Sequence, residues 1–237
     1  APSRAGPFGN ISGAVPGPTF VDTAVTPGQA HYYAIRPAVA GGLASGPVAG
    51  TASPFPSGQQ ARIGSVVVPG QAMDVAVSGT WAFAPTWTAG LKVLDVSAPD
   101  RPVVVGGLAL PGNGYTIALA GTTAYVGTST GLYLVDVSAP AAPVLLGSLA
   151  VGAVQEIAVN GSYAYLACGG AGVRKIDVST PASPVQVDSA GTSGGAYGIA
   201  VSGAYAYVAA EGDLLVFDTA TVTLQGTLTA PTRAMDV

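Results

Sequence analysis

An all-β fold of copied four-stranded sheets is what this sequence predicts, on three observations. Asp95, Asp136, Asp177 and Asp218 stand 41 residues apart. Each closes an apolar run of one shape: Leu91-Lys92-Val93-Leu94-Asp95, Leu132-Tyr133-Leu134-Val135-Asp136, Val173-Arg174-Lys175-Ile176-Asp177 and Leu214-Leu215-Val216-Phe217-Asp218. The 237 residues include 34 glycines and 19 prolines, and no long window at helical spacing is free of both. A fixed period of this length means that one supersecondary unit is copied and that each copy buries its face on the next.

Each unit reads as four strands. The first occupies 74–79, 117–121, 157–161 and 199–203, and ends in Gly79, Gly121, Gly161 or Gly203. The second opens with Trp81-Ala82-Phe83, Thr123-Ala124-Tyr125, Tyr163-Ala164-Tyr165 or Tyr205-Ala206-Tyr207. The third is the run closed by aspartate, and the fourth spans 103–110, 144–149, 185–190 and 222–228. All alternate or run apolar over short stretches bounded by Gly, Pro, Ser or Asn, which is strand grammar. Four short strands in a unit of this length predict a β-propeller blade. Four complete blades and partial ones fit between residues 62 and 237. Ala76, Ala118, Ala158 and Ala200 suit a narrow centre where blades converge; Phe83, Tyr125, Tyr165 and Tyr207 suit wider space further out.

The repeated aspartate has a mechanical role on this reading. In Asp95-Val96-Ser97-Ala98-Pro99 and its copies the carboxylate can accept backbone N–H bonds of the following turn, and the proline then sets that turn. The fourth copy, Asp218-Thr219-Ala220, lacks Ser-x-Pro and has a shorter turn. Cys168 stands where the sister repeats carry Thr86, Thr128 and Ala210, as a small residue in a tight place. As the lone cysteine it excludes an internal disulfide.

Segments such as Ala72-Met73-Asp74-Val75-Ala76-Val77-Ser78-Gly79, Tyr205-Ala206-Tyr207-Val208-Ala209 and the stretch 132–140 resemble LVIVD repeats. The resemblance covers roughly 62–237. It implies a propeller in a bacterial or archaeal surface or secreted protein, and no defined reaction. Residues 1–54 are similar to the later half of a fibronectin type III domain. The Val25-Thr26-Pro27-Gly28 turn leads into an aromatic strand through Tyr32 and Tyr33, and His31 stands at the family's corner tyrosine. That resemblance implies a partial Ig-like sandwich, with 55–61 as linker. Both ends read as interrupted: the sandwich lacks its first strands, and Arg233-Ala234-Met235-Asp236-Val237 repeats the opening of a blade, Gln71-Ala72-Met73-Asp74-Val75. The segment 62–68 aligns with the fourth strand of a blade.

Charged residues make up 8% of the chain and the net charge is −4, so nucleic acid and anionic membranes are poor partners. No stretch reaches the ~20 apolar residues of a membrane helix. Zinc ligands of Cys/His type, a phosphate-cradling glycine loop and a haem attachment motif are missing, so no cofactor is expected. Calcium would have to use Glu211 and Asp213, without an Asp-x-Asp-x-Asp loop.

Propeller geometry gathers two kinds of loop on one face, the links between blades and the links between second and third strands. Asp74, Trp87, Tyr115, Glu156, Tyr197, Glu211 and Asp213 fall there and form the candidate binding face, varied and aromatic, whereas the other face carries uniform small turns. The leading expectation is a non-catalytic module at the cell surface or outside the cell, binding a protein or glycan, self-association included. The alternatives are a structural subunit of a surface assembly, or a carbohydrate-active enzyme using acids such as Asp74 and Glu156.

Overall fold

The computed structural model describes residues 64–229, which lie within a compact unit running from Ile63 to Val237. The expected sandwich at 1–54, the linker 55–61 and the blade opening at 233–237 lie outside the described residues. The described residues form sixteen strands and no helix. Blade 1 holds β1 (Ala76–Ser78), β2 (Trp81–Thr86), β3 (Gly90–Asp95) and β4 (Val103–Leu108). Blade 2 holds β5 (Gly114–Ala120), β6 (Thr123–Thr128), β7 (Leu132–Asp136) and β8 (Val144–Leu149). Blade 3 holds β9 (Glu156–Asn160), β10 (Tyr163–Ala167), β11 (Val173–Asp177) and β12 (Val185–Ala190). Blade 4 holds β13 (Ala196–Ser202), β14 (Tyr205–Ala210), β15 (Asp213–Asp218) and β16 (Leu224–Thr229). Each sheet is antiparallel with its strands in chain order, as predicted for propeller blades.

The first hairpin of every blade is closed by two residues, with Ser78 paired to Trp81, Ala120 to Thr123, Asn160 to Tyr163 and Ser202 to Tyr205. Gly79, Gly121, Gly161 and Gly203 begin these loops with φ 59°. That is the left-handed start of a type II′ turn, which matches strand twist and favours glycine. At the other hairpin, Asp95, Asp136 and Asp177 accept the N–H of Ser97, Ser138 and Ser179 at 2.8–2.9 Å, and Asp218 accepts those of Ala220 and Thr221. The aspartate repeat is therefore a turn device.

No blade has a core to itself. Ala76, Ala118, Ala158 and Ala200 pair across the strands with Phe83, Tyr125, Tyr165 and Tyr207, a small residue against a large one. Phe83, Leu91 and Val93 of blade 1 pack with Ile117, Ala124, Val126 and Val135 of blade 2. Tyr125, Leu132 and Leu134 of blade 2 pack with Ile157, Ala164, Leu166 and Ile176 of blade 3. Tyr165, Ala167 and Val173 of blade 3 pack with Ile199, Ala206, Val208 and Phe217 of blade 4. Alternation along each strand sends odd and even residues to opposite neighbours. The apolar burial that stabilises the fold is thus shared between sheets. The outer strands also require close approach: a Cβ on Gly106 or Gly147 would stand 2.3 Å from the carbonyl oxygen of Pro140 or Pro181 in the next blade's turn.

Candidate functional site

The antiparallel order puts the β4–β5, β8–β9 and β12–β13 links on the same face as the loops joining second to third strands. Backbone bonds tie the two sets together within and between blades. Trp87 N–H donates to Gln71, Ser129 N–H to Asn113, Val154 N–H to Thr128, Gly169 N–H to Ala196 and Glu211 N–H to Gly195. The face is a hydrogen-bonded frame, and side chains on it are held in place by backbone.

Asp74, just before β1, uses both carboxylate oxygens. Oδ1 accepts the N–H of Val75 at 2.7 Å, and Oδ2 accepts the Thr116 hydroxyl at 3.1 Å and the Ile117 N–H at 2.9 Å. Thr116 and Ile117 belong to the inner strand of blade 2, so the carboxylate clasps one blade to the next. Glu156 repeats the device from blade 3 to blade 4, where Oε2 accepts the Ile199 N–H at 2.7 Å. An inner-strand N–H with no strand partner needs an acceptor, and a charged one is the stronger choice. Blades 2 and 4 carry Thr116 and Gly198 at the clasp position. Sequence reasoning found both acids and their alternation, but not their targets.

The aromatic residues behave differently. Trp87, on the loop after β2, lies 5.4 Å from Tyr115 of β5, ring centroid to centroid, with planes inclined at 44°. Such tilted pairs contribute about 0.5–1.5 kcal/mol beyond area burial. Trp87 remains 37% exposed and Tyr115 is half-buried, so the pair spans the seam between blades 1 and 2 and stays partly open to solvent. The matching positions at the next two seams are Ser129 with Gln155 and Gly169 with Tyr197. Among the three seams of the described residues the pair therefore occurs at one, whereas the frame beneath it repeats.

Tyr197 is half-buried and its ring lies where a Cβ on Gly195 would meet it at 2.8–2.9 Å. Asp213 accepts a hydrogen bond from the Ser193 hydroxyl at 3.2 Å, beside exposed Glu211. The expected residues thus fall into three places on the face: the clasps, the aromatic pair and the blade 4 corner. Among the described residues no three of His, Cys, Asp and Glu gather closely enough to hold a metal ion. Cys168 is buried, and burial pushes its thiol up to about 11, with Arg174 opposing the shift. A shallow hollow lined by Asp95, Ser97, Ala98, Arg101 and Val103 sits on the opposite face.

Comparison with known proteins agrees with this architecture. The crystal structure of the computationally designed Ika8 protein superposes with a TM-score of 0.58 at 12% identity, covering 68% of this chain and 50% of that one. At that identity the likeness concerns the fold alone, and the chain spans half the length of the designed protein. No curated protein matches the chain by sequence. The LVIVD repeat model matches residues 69–108, 111–151, 151–192 and 193–220, in step with the four blades. With well over half its length matched in this way, the chain belongs to the LVIVD-repeat family.

Proposed function

We propose that this protein is a non-catalytic binding module of the cell surface or extracellular space, and that the Trp87–Tyr115 platform on its loop face stacks against a sugar ring of a surface glycan. The observation that carries the reading is the half-open aromatic pair fixed across one seam on a rigid frame. A partly exposed indole suits the apolar face of a sugar, and loops on a repeated scaffold are where recognition usually sits. Asn113 and Ser129 lie beside the platform, where the Asn113 N–H donates to the Ser129 hydroxyl. The surface location follows what the repeat family implies. The carboxylates an enzyme would need, Asp74 and Glu156, already accept backbone bonds in the frame, which favours binding over hydrolysis.

The test is a glycan array probed with the protein and with Trp87→Ala. Retention on a defined set of glycans, lost at least tenfold in the variant, is expected. Retention unchanged by Trp87→Ala, or turnover of a polysaccharide, would sink the reading. A second reading, a subunit of a surface assembly, is favoured by the recurrent exposed apolar positions Val103, Val144, Val185 and Leu224 on the outer strands. Electron microscopy of concentrated protein separates the two: ordered filaments or sheets support assembly, and dispersed particles oppose it.

A further inference from the structure

The first hairpin of every blade ends on the face opposite the Trp87–Tyr115 platform, and its two-residue loop differs in side chains from copy to copy. The four read Ser78-Gly79-Thr80-Trp81, Ala120-Gly121-Thr122-Thr123, Asn160-Gly161-Ser162-Tyr163 and Ser202-Gly203-Ala204-Tyr205. The backbone is fixed in the same way in each. Val96, Val137, Val178 and Thr219 donate their N–H groups to the carbonyls of Thr80, Thr122, Ser162 and Ala204 at 2.8–2.9 Å. Alanine serves at the first position in blade 2 and at the third in blade 4, so the turn requires neither the Asn160 carboxamide nor the Ser162 hydroxyl. Among the described residues no hydrogen bond of the fold engages either group.

Blade 3 alone of the four combines the two. Asn-x-Ser, with x other than proline, is the acceptor sequence for N-linked glycosylation. Asn160, Gly161 and Ser162 are all exposed. A Cβ on Gly161 would meet nothing within 4 Å, so the space around the turn is open. The chain has two other asparagines. Asn113 is followed by Gly114-Tyr115 and lacks the hydroxyl, whereas Asn10-Ile11-Ser12 has the motif and lies outside the described residues. Tyr163 stands directly opposite Asn160 in the register and is 36% exposed. Such pairs share one face of the sheet with Cβ atoms about 5 Å apart, so a first sugar on Asn160 has an aromatic ring beside it.

We propose that Asn160 is an N-glycosylation site. The proposal rests on the surface or extracellular location given above, because an exported chain is what meets the sugar donor. That donor is an oligosaccharide carried on a lipid phosphate. The Asn160 Nδ2 forms a bond to the anomeric carbon, and the bond from that carbon to the phosphate oxygen breaks. Its electron pair leaves with the lipid phosphate, and the amide proton passes to a base of the transferase. A glycan at this turn leaves the platform on the other face uncovered. It also adds hydration to a chain with only 8% charged residues.

Mass spectrometry of intact peptides tests this on protein recovered from the cells and medium of its native host. The peptide holding Asn160 is expected to carry a sugar mass localised to Asn160, and the Asn113 peptide to be bare; the Asn10 peptide is read separately. Asn160→Ser, which copies Ser78 and Ser202, and Ser162→Ala, which copies Ala204, should each abolish the modification while the protein still melts as a folded domain. Ser162→Thr should keep it. Bare Asn160 in exported protein would overturn the proposal and leave the surface location standing. Aspartate at position 160 without sugar, the product of spontaneous deamidation at Asn-Gly, would overturn it too, as would a sugar on Asn160 that persists in Ser162→Ala. Protein confined to the cytoplasm with Asn160 bare would overturn both the site and the location.

Discussion

Between blades 2 and 3, Gly147 lies under the Pro181 carbonyl and the sheets meet by close packing; between blades 3 and 4 the matching residue is Asp188, and the turn it faces has no proline. There polar bonds join the outer parts of the sheets beside the shared apolar core. The Tyr165 hydroxyl donates to the Thr219 carbonyl at 3.1 Å, and Lys175 Nζ donates to the Ala220 carbonyl at 3.0 Å while lying 4.3 Å from the Tyr163 ring centroid. Lys175 is buried, at a position where the sister blades carry Val93, Leu134 and Val216. The shorter turn also forces Val222 to φ 47°, a left-handed conformation that costs a β-branched residue about 1–3 kcal/mol. Glycine on one blade and the proline turn on the next therefore change together. Where one departs, hydrogen bonds and a cation replace the glycine–proline contact.

The largest way to break this contrast is Gly147→Val. Its Cβ would overlap a backbone oxygen that cannot swing aside, and a loss of about 3 kcal/mol is expected, lowering Tm by about 6–12 °C. Asp188→Gly at the matching position should change stability by no more than about 1 kcal/mol. Equal losses in thermal melts would show that the two seams are not built differently. Tyr165→Phe comes next. Blade 1 carries Phe83 at this position, so packing is kept and only the bond to Thr219 is lost, about 1 kcal/mol. A melt identical to wild type would show that this bond contributes nothing to the joint.

The turn aspartates supply a smaller, pH-dependent effect. The hydroxyl and N–H of Ser97 and of Ser179, the N–H and hydroxyl of Ser138, and the N–H groups of Thr221 and Ala220 hold the carboxyls of Asp95, Asp177, Asp136 and Asp218 below the usual value of 3.8. A carboxyl lowered on folding adds stability above its unfolded value and loses it as pH falls through the folded one. Melting temperature should therefore decline below pH 3.8, and replacing all four with Asn should flatten that decline. The smallest effect concerns Cys168. With its thiol raised to about 11 by burial, labelling by a maleimide at neutral pH should be slow in the native protein and fast once it is unfolded in denaturant.

Much of the fold was legible because the period repeats along the chain. The aspartates, the Gly79-type turns and the four runs per unit each depend on neighbours within one copy. What the sequence left hidden lies between copies. Asp74 has its partner at Ile117, and Lys175 has its partner at Ala220; neither spacing is a strand or turn signature, because it is set by how sheets dock. The aromatic pair was half legible. Trp87 and Tyr115 both fall on the loop face by topology, but their contact depends on the angle between two blades.

The proposed function requires a division of labour on that face, with Asp74 holding blades together and Trp87 meeting the ligand. Binding of Asp74→Ala and Trp87→Ala to the same immobilised glycan, at a temperature where both are folded, separates the two roles. Asp74→Ala, destabilised by about 1–2 kcal/mol, should retain wild-type affinity while Trp87→Ala loses at least tenfold. Lost affinity in Asp74→Ala with full retention in Trp87→Ala would reverse the assignment and end the case for an aromatic platform.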